Sequence, residues 1–331
     1  MNEYRPLPKD RKARIAVLDD YMGVAHRLAD WSHLEDRAEI TFLTHAVPSG
    51  RLLQELAPYD ALCLLRERTD FPAAVLRGLP NLKVIAATGR QNRTLDSVTA
   101  AELGIPIMTT DGSGNGAFAT VELAWGLIIG LMRHIPAESA ALRAGAWQSR
   151  LGQALYGRTL GLVGLGRLGA RMALVAQAFG MKVIAWSPNL TPERAEAAGA
   201  EYADKATLFG NADIVSLHLV LGPSTEGIVG AADLARMKAN AILINTARGP
   251  LVDQVALQAA LVDGQIAGAG IDVFDHEPLS ANAPIRQFPN MLATPHLGYA
   301  VQETFESFYR QTVENLDGWL DGNPQRLLQP K

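Results

Sequence analysis

Short apolar runs recur along the chain, each bounded by turn residues or charges, with stretches of helical spacing between them. In the first third the runs are Arg14–Asp19, Glu39–Thr44, Ala61–Leu65, Leu82–Ala87 and Ile105–Thr109, with helical spacing over Gly50–Ala57. Runs that are apolar throughout, rather than alternating, are the pattern of parallel strands covered on both faces. A second series begins at Thr159 and predicts strands at Thr159–Gly164, Lys182–Trp186, Ile214–Leu219, Ala241–Asn245, Ala267–Asp272 and Met291–Thr294. Its helices are predicted at Arg167–Phe179, Pro192–Ala198, Ala231–Arg236 and Gln254–Asp263. Strand and helix alternate in both series, which predicts an α/β fold with two parallel-sheet domains of Rossmann-like or flavodoxin-like type.

Between the series lies Asp111–Gly116, "DGSGNG", whose three glycines suit a hinge or an ordinary surface loop. Thr120–His134 is apolar on most faces through Val121, Leu123, Trp125, Leu127, Ile128 and Leu131, so it must be covered. The last helix, Ala300–Leu320, carries Val301, Phe305, Phe308, Leu316 and Trp319 on one stripe that suits packing back on the first series. The predicted domains are therefore 1–110 with 300–331, discontinuous in sequence, and 111–299.

Composition changes this picture only at its edges. Acids outnumber bases 34 to 30 in 331 residues, which argues against a nucleic-acid or anionic-membrane partner. Cys63 is the single cysteine and cannot close an intrachain disulfide. The stretch Met1–Arg14 is charged, carries Pro6 and Pro8 and lacks the apolar core of a signal peptide. The longest strongly apolar run, Leu123–Met132, is about half of what a bilayer needs. A cytoplasmic location is expected.

The glycines Gly164, Gly166 and Gly169 form G-x-G-x-x-G directly after an apolar strand and before a helix. The first suits a tight turn, the second a backbone close to a pyrophosphate, and the third close helix–strand packing. About 20 residues on, where an acid would bond the ribose of NAD, the chain has Ser187. A serine bonds a hydroxyl but does not repel a 2′-phosphate, and the nearest arginine to follow is Arg194. NAD is favoured and NADP is not excluded.

Four ionisable residues stand where later strands end: Arg248 in "INTARGPLVD", Asp272 and Glu277 in "GAGIDVFDHEP", and His296 in "LATPHLGYA". In open α/β sheets ligands bind beyond these carboxyl ends. Arg248 suits a carboxylate clamp, and His296 suits proton exchange, since imidazole titrates near neutrality. Glu277 suits orienting His296 and stabilising its charged form. Taken singly, each has a plainer reading: His296 as an exposed or structural residue, Arg248 in a salt bridge, Glu277 as a surface charge, Asp272 as a helix cap. His26, His33, His45, His134, His218 and His276 lack comparable company. Zinc-ligand spacing, Walker and G-x-S-x-G motifs are absent from the sequence.

With these motifs in this order, preceded by "RAGAWQ", the chain resembles the D-isomer-specific 2-hydroxyacid dehydrogenase family over nearly its whole length. The resemblance implies Arg248, Glu277 and His296 as the catalytic set. It implies cofactor contacts at Gly164, Gly166, Arg167, Leu168, Gly169, Ser187, Thr246, Ala247, Asp272 and Gly298. The activity implied is hydride transfer between a nicotinamide and C2 of a D-2-hydroxy or 2-oxo acid, glyoxylate or hydroxypyruvate first among them. A homodimer through the dinucleotide domain is also implied. In "ATGRQNRTLD", Gly89 and Arg90 fall in the loop whose backbone amides hold the substrate carboxylate in that family, and Arg90 suits either a second anionic group or solvent. The family usually has another glycine soon after, where this chain has Gln91–Asn92–Arg93, and its usual asparagine before "TVE" is displaced to Asn115. The chain ends about 35 residues after His296, which predicts no regulatory domain. Two other functions stay open on the sequence: a dinucleotide-gated, corepressor-like binding protein, and oxidation of a small anion such as formate or phosphite.

Overall fold

In parallel strands every second side chain faces the same layer of helices, so a sheet covered on both faces needs apolar residues on both. That requirement is met twice in this chain. The computed structural model describes residues 11–112 and 114–330. Pro6, Pro8 and Ser113, and the side chain of Asn115, lie outside the described residues.

The chain divides into two units, one ending at Ala117 and resuming at Val301, the other spanning Phe118–Ala300. The first holds Ala13–Val17 (β1), Ala38–Phe42 (β2), Ala61–Leu64 (β3), Val84–Ala87 (β4) and Ile107–Met108 (β5). They form a parallel sheet in the order β2-β1-β3-β4-β5. Its helices are Leu52–Leu56 (α1), Ala73–Arg77 (α2) and Ser97–Glu102 (α3). Leu62, Leu64, Ile85 and Ala87 pack with Phe71, Leu76, Leu79 and Leu82 in a buried core.

The second unit holds Thr159–Val163 (β6), Lys182–Trp186 (β7), Glu201–Tyr202 (β8), Ile214–Leu217 (β9), Ile242–Asn245 (β10), Gly268–Ile271 (β11) and Met291–Ala293 (β12). All are parallel, in the order β12-β11-β10-β9-β6-β7-β8. Its helices are Ala119–Met132 (α4), Ile135–Arg143 (α5), Arg167–Ala178 (α6), Pro192–Ala197 (α7), Lys205–Asn211 (α8), Ala231–Leu234 (α9) and Gln254–Val262 (α10). Alternation sorts the strands between two cores. Leu160, Leu162, Ile242 and Ile244 face Trp125, Ile128, Met172 and Ala173 of α4 and α6. Val163, Val215, Leu217 and Leu243 face Phe209, Leu234 and Leu257 of α8, α9 and α10. The uniformly apolar α4 is buried over most of its length because it lies on this sheet. The strand order reverses between β6 and β9, the place where an open α/β sheet leaves room for a ligand.

Gln302–Leu320 (α11) returns to the first unit and packs on β4, with Phe305, Phe308, Leu316 and Trp319 buried. No single described helix is long and apolar enough to cross a membrane. One pair bent by 61° passes on length and composition only as a pair, and most of α4 within it is buried in the core.

Candidate active site

The glycine turn follows β6. Gly164 has φ of 103°, and a Cβ there would come within 2.8 Å of the backbone of His218, which continues β9. Gly169 sits in the first turn of α6, where a Cβ would be 2.2 Å from the Gly164 carbonyl oxygen. Both positions are closed to any side chain by backbone. Gly166, at the start of α6, differs: a Cβ there meets no heavy atom within 4 Å. Behind it the amides of Arg167 and Leu168 belong to the first helical turn, which has no intrahelical acceptor for its N–H groups. An open approach to donors at the positive end of a helix is what a diphosphate requires.

Thr246, just past β10, adds to this. Its Oγ1 is buried without a hydrogen-bond partner, an orphan that a bound group would satisfy. Ala247 beside it is held from both sides, its N–H donating to Asn245 Oδ1 (3.0 Å) and its carbonyl accepting from Arg248 Nη1 (2.7 Å). Ser187 directly follows β7, and its carbonyl accepts from Leu190 N–H at 3.1 Å. Arg194, the next arginine along the chain, donates through Nη1 to the Asn189 carbonyl at 2.8 Å. These residues fit a dinucleotide.

The titratable groups gather where β10, β11 and β12 end. His296 has φ of 54°, a left-handed backbone forced on a non-glycine residue. Its N–H donates to the Thr294 carbonyl, and its ring Nδ1 lies 2.5 Å from Glu277 Oε2. The other oxygen of Glu277 accepts from Phe274 N–H at 2.9 Å, so the carboxylate is fixed at both ends. The edge of Tyr299 meets the imidazole with centroids 5.6 Å apart.

Asp272 organises the turn that carries His296. Oδ1 accepts from Thr294 Oγ1 (2.6 Å) and Leu297 N–H (2.7 Å), and Oδ2 accepts from Gly298 N–H (2.8 Å). Burial pushes its carboxyl pKa up, against the pull of these three donors and of His296. Gly298 is held on its other side too, its carbonyl accepting from Thr120 Oγ1 at 2.7 Å.

Arg248 is tied into the same group by its backbone. Its carbonyl accepts from Asn245 Nδ2 at 2.8 Å, and the Asn245 carbonyl accepts from Asp272 N–H at 3.0 Å. A Cβ on the next residue, Gly249, would be 2.2 Å from the carbonyl carbon of Phe274, the residue that holds Glu277. Contacts therefore run in a closed circuit: Arg248–Gly249, Phe274, Glu277, His296, the Thr294–Gly298 turn, Asp272, Asn245, and back to Arg248. Asn245, Thr294 and Thr120 are supports that the sequence reading did not single out. Asn245 left a trace, as the one polar residue ending the apolar run "ILIN".

Gly89 and Arg90 lie in the first unit, after β4. Gly89 has φ of 86°, and its N–H donates to Thr110 Oγ1 at 2.7 Å, so that amide is engaged within the unit. Arg90 Nε donates to the Asp111 carbonyl at 2.6 Å. His218 adjoins the glycine turn as a structural residue: its Nε2 is 2.9 Å from Ser216 Oγ, and burial pushes its pKa down to about 4. Among the described residues no group of three or more His, Cys, Asp or Glu is placed to hold a metal.

Known proteins resemble this chain over most of its length. Residues 125–298 match the family model described as D-isomer specific 2-hydroxyacid dehydrogenase, NAD binding domain. The glyoxylate reductase of Thermococcus litoralis is 39% identical over 296 residues, 86% of this chain and 87% of that one. The hydroxypyruvate reductase of Thermotoga maritima is 34% identical over 287 residues, 86% of this chain and 92% of its own. The crystal structure of a phosphoglycerate oxidoreductase from Vibrio cholerae superposes with a TM-score of 0.86 at 36% identity, covering 94% of this chain and 99% of that one. The D-3-phosphoglycerate dehydrogenases it matches from Synechocystis and Methanocaldococcus jannaschii are longer, and the chain spans about half of their length.

Proposed function

The chain belongs to the D-isomer specific 2-hydroxyacid dehydrogenases and is an NAD-dependent oxidoreductase of 2-hydroxy and 2-oxo acids; from this we propose that Arg248 holds the substrate carboxylate, His296 exchanges the proton of the C2 oxygen, and Glu277 holds His296 in place. The substrate we propose is glyoxylate or hydroxypyruvate, in keeping with the relatives matched over most of their length.

The observation that carries this reading is the 2.5 Å contact between His296 Nδ1 and Glu277 Oε2, with the second Glu277 oxygen fixed by Phe274. A carboxylate at Nδ1 stabilises the imidazolium and assigns proton exchange to Nε2. Held at the glycine turn of Gly164–Gly169, NAD(H) would supply or accept the hydride at C2. Arg248 has a planar fork of donors that matches a carboxylate, and with His296 at the C2 oxygen this second contact restricts which face of C2 is presented. Reduction of a 2-oxo acid draws the proton from the imidazolium, and oxidation of a 2-hydroxy acid returns it to neutral imidazole.

The test is turnover of NADH and NADPH against glyoxylate, hydroxypyruvate, pyruvate and 2-oxoglutarate, followed by loss of reduced-nicotinamide absorbance. Saturating turnover of glyoxylate or hydroxypyruvate with NADH is expected; NADPH is included because Ser187 offers no carboxylate to repel a 2′-phosphate. His296→Gln should lower kcat by at least about a hundredfold while NADH affinity is kept. A near-wild-type rate in that variant would remove His296 from the chemistry, and inertness toward every 2-oxo acid would overturn the substrate assignment.

A further inference from the structure

Arg167, the first residue of α6, and Arg171, one turn later, both meet the ring of Phe118. The guanidinium carbon of Arg167 is 5.9 Å from the ring centroid and that of Arg171 is 5.0 Å. Two like charges spaced i,i+4 on one helix face repel each other. Such a pair is commonly relieved by a carboxylate, and the chain has more acids than bases, 34 to 30. Yet among the described residues neither guanidinium has an acidic or carbonyl partner, and what they share is the ring of Phe118. Arg167 directly follows Gly166, where the approach to the helix is open. Phe118 immediately precedes α4 and belongs to the same unit as α6.

An aromatic face attracts a cation without neutralising it. A carboxylate in its place would hold the arginines equally well but would compete with any anion arriving at the helix. We propose that Phe118 is a positioning residue, which holds Arg167 and Arg171 side by side as a cationic pair for the diphosphate of the dinucleotide. This inference rests on the dinucleotide reading of the glycine turn and adds to it a residue that lies outside the fingerprint.

The experiment uses the full chain and reads binding without turnover: NADH by nucleotide fluorescence and ADP-ribose by calorimetry, at low and high salt. The proteins are wild type, Phe118→Leu, Phe118→Tyr, Arg171→Gln, and the Phe118→Leu/Arg171→Gln double variant. Phe118→Leu should weaken both ligands about three- to fivefold at low salt, the size of one exposed cation–π contact. The loss should shrink at high salt, Phe118→Tyr should restore affinity, and the melting temperature without ligand should be unchanged. The double variant should lose less than the sum of the two single losses, because both substitutions break the same contact. Unchanged affinity in Phe118→Leu, strict additivity, or a fall in ligand-free melting temperature that accounts for the weakening would each overturn the inference. Wild-type protein that binds neither ligand would instead overturn the dinucleotide reading beneath it.

Discussion

At the scale of single residues, Asp272 is the most heavily used side chain of the site, although it transfers no proton in the proposed chemistry. It is fully buried and receives one hydroxyl and two backbone N–H groups, all from the turn on which His296 sits in a left-handed conformation. Substituting Asp272→Asn keeps the shape but turns one acceptor into a donor facing N–H groups. An unsatisfied buried donor costs about 1–3 kcal/mol. The variant should therefore unfold at lower denaturant, and its kcat should fall by about tenfold or more as His296 loses its fixed position. Wild-type values of both quantities, from urea unfolding and steady-state kinetics, would show the turn to be held by other means. The pairing of Glu277 with His296 was legible in the sequence because both residues follow apolar runs that end at one edge of a sheet. The roles of Thr294 and Thr120 were not, because their partners, the Asp272 carboxylate and the Gly298 carbonyl, lie in other segments that only folding brings near, nor was that of Asn245, whose side chain holds the backbone of its own turn.

At the scale of elements, the turn from β6 into α6 separates two kinds of glycine, and the separation is testable. Gly169→Ala places a methyl 2.2 Å from a carbonyl oxygen, so helix and turn must part. Overpacking of this kind costs about 1–3 kcal/mol, and NADH binding should be lost with it. Gly166→Ala meets nothing in the protein, so melting should be unchanged while NADH affinity falls by at least about tenfold, because the methyl occupies the diphosphate's approach. Equal behaviour of the two variants in melting and binding would refute this division.

The central strands β3, β4, β9, β10 and β11 were legible because they are buried throughout, and the predicted runs overshoot mainly at their carboxyl ends, as in Ile214–Leu219 against β9. Those overshoots are the first residues of the ligand-side turns, whose ladder hydrogen bonds persist past the strand, as in His218 N–H to the Val163 carbonyl. Two-residue β8 was missed because both of its residues are exposed and leave no apolar signal. Four helices, α2, α3, α5 and α8, were also missed. For α8 and α3 a signal existed in the aspartate caps Asp204 and Asp96, which accept from Thr207 and Thr99 N–H groups. Helix α5 begins after His134 in a left-handed conformation and has no buried residue, so periodicity had nothing to register.

At the scale of the whole molecule, pH acts on stability through groups the chemistry does not use. The His218 pKa is pushed from 6.5 to about 4 by burial, so the fold holds it neutral while the unfolded chain takes up a proton more readily. Its contribution is complete above about 6.5 and is lost as pH falls toward about 4. Asp272 and Asp19 work in the other direction, since burial raises both above 3.8 and favours the fold while they are protonated, a benefit lost as pH rises past their raised values. Comparing wild type with His218→Gln isolates the histidine. Melting temperatures measured downward from neutrality should fall more steeply in wild type between pH 6.5 and about 4. Parallel curves would mean that His218 does not stay neutral in the fold.

The circuit that joins Arg248, Glu277, His296 and Asp272, together with the glycine turn, is written entirely within Phe118–Ala300. The remaining unit enters and leaves this stretch at only two seams, 117/118 and 300/301. Inheritance can therefore treat the two halves unequally. A cut at both seams would lift out the circuit and the glycine turn together, with neither of them divided.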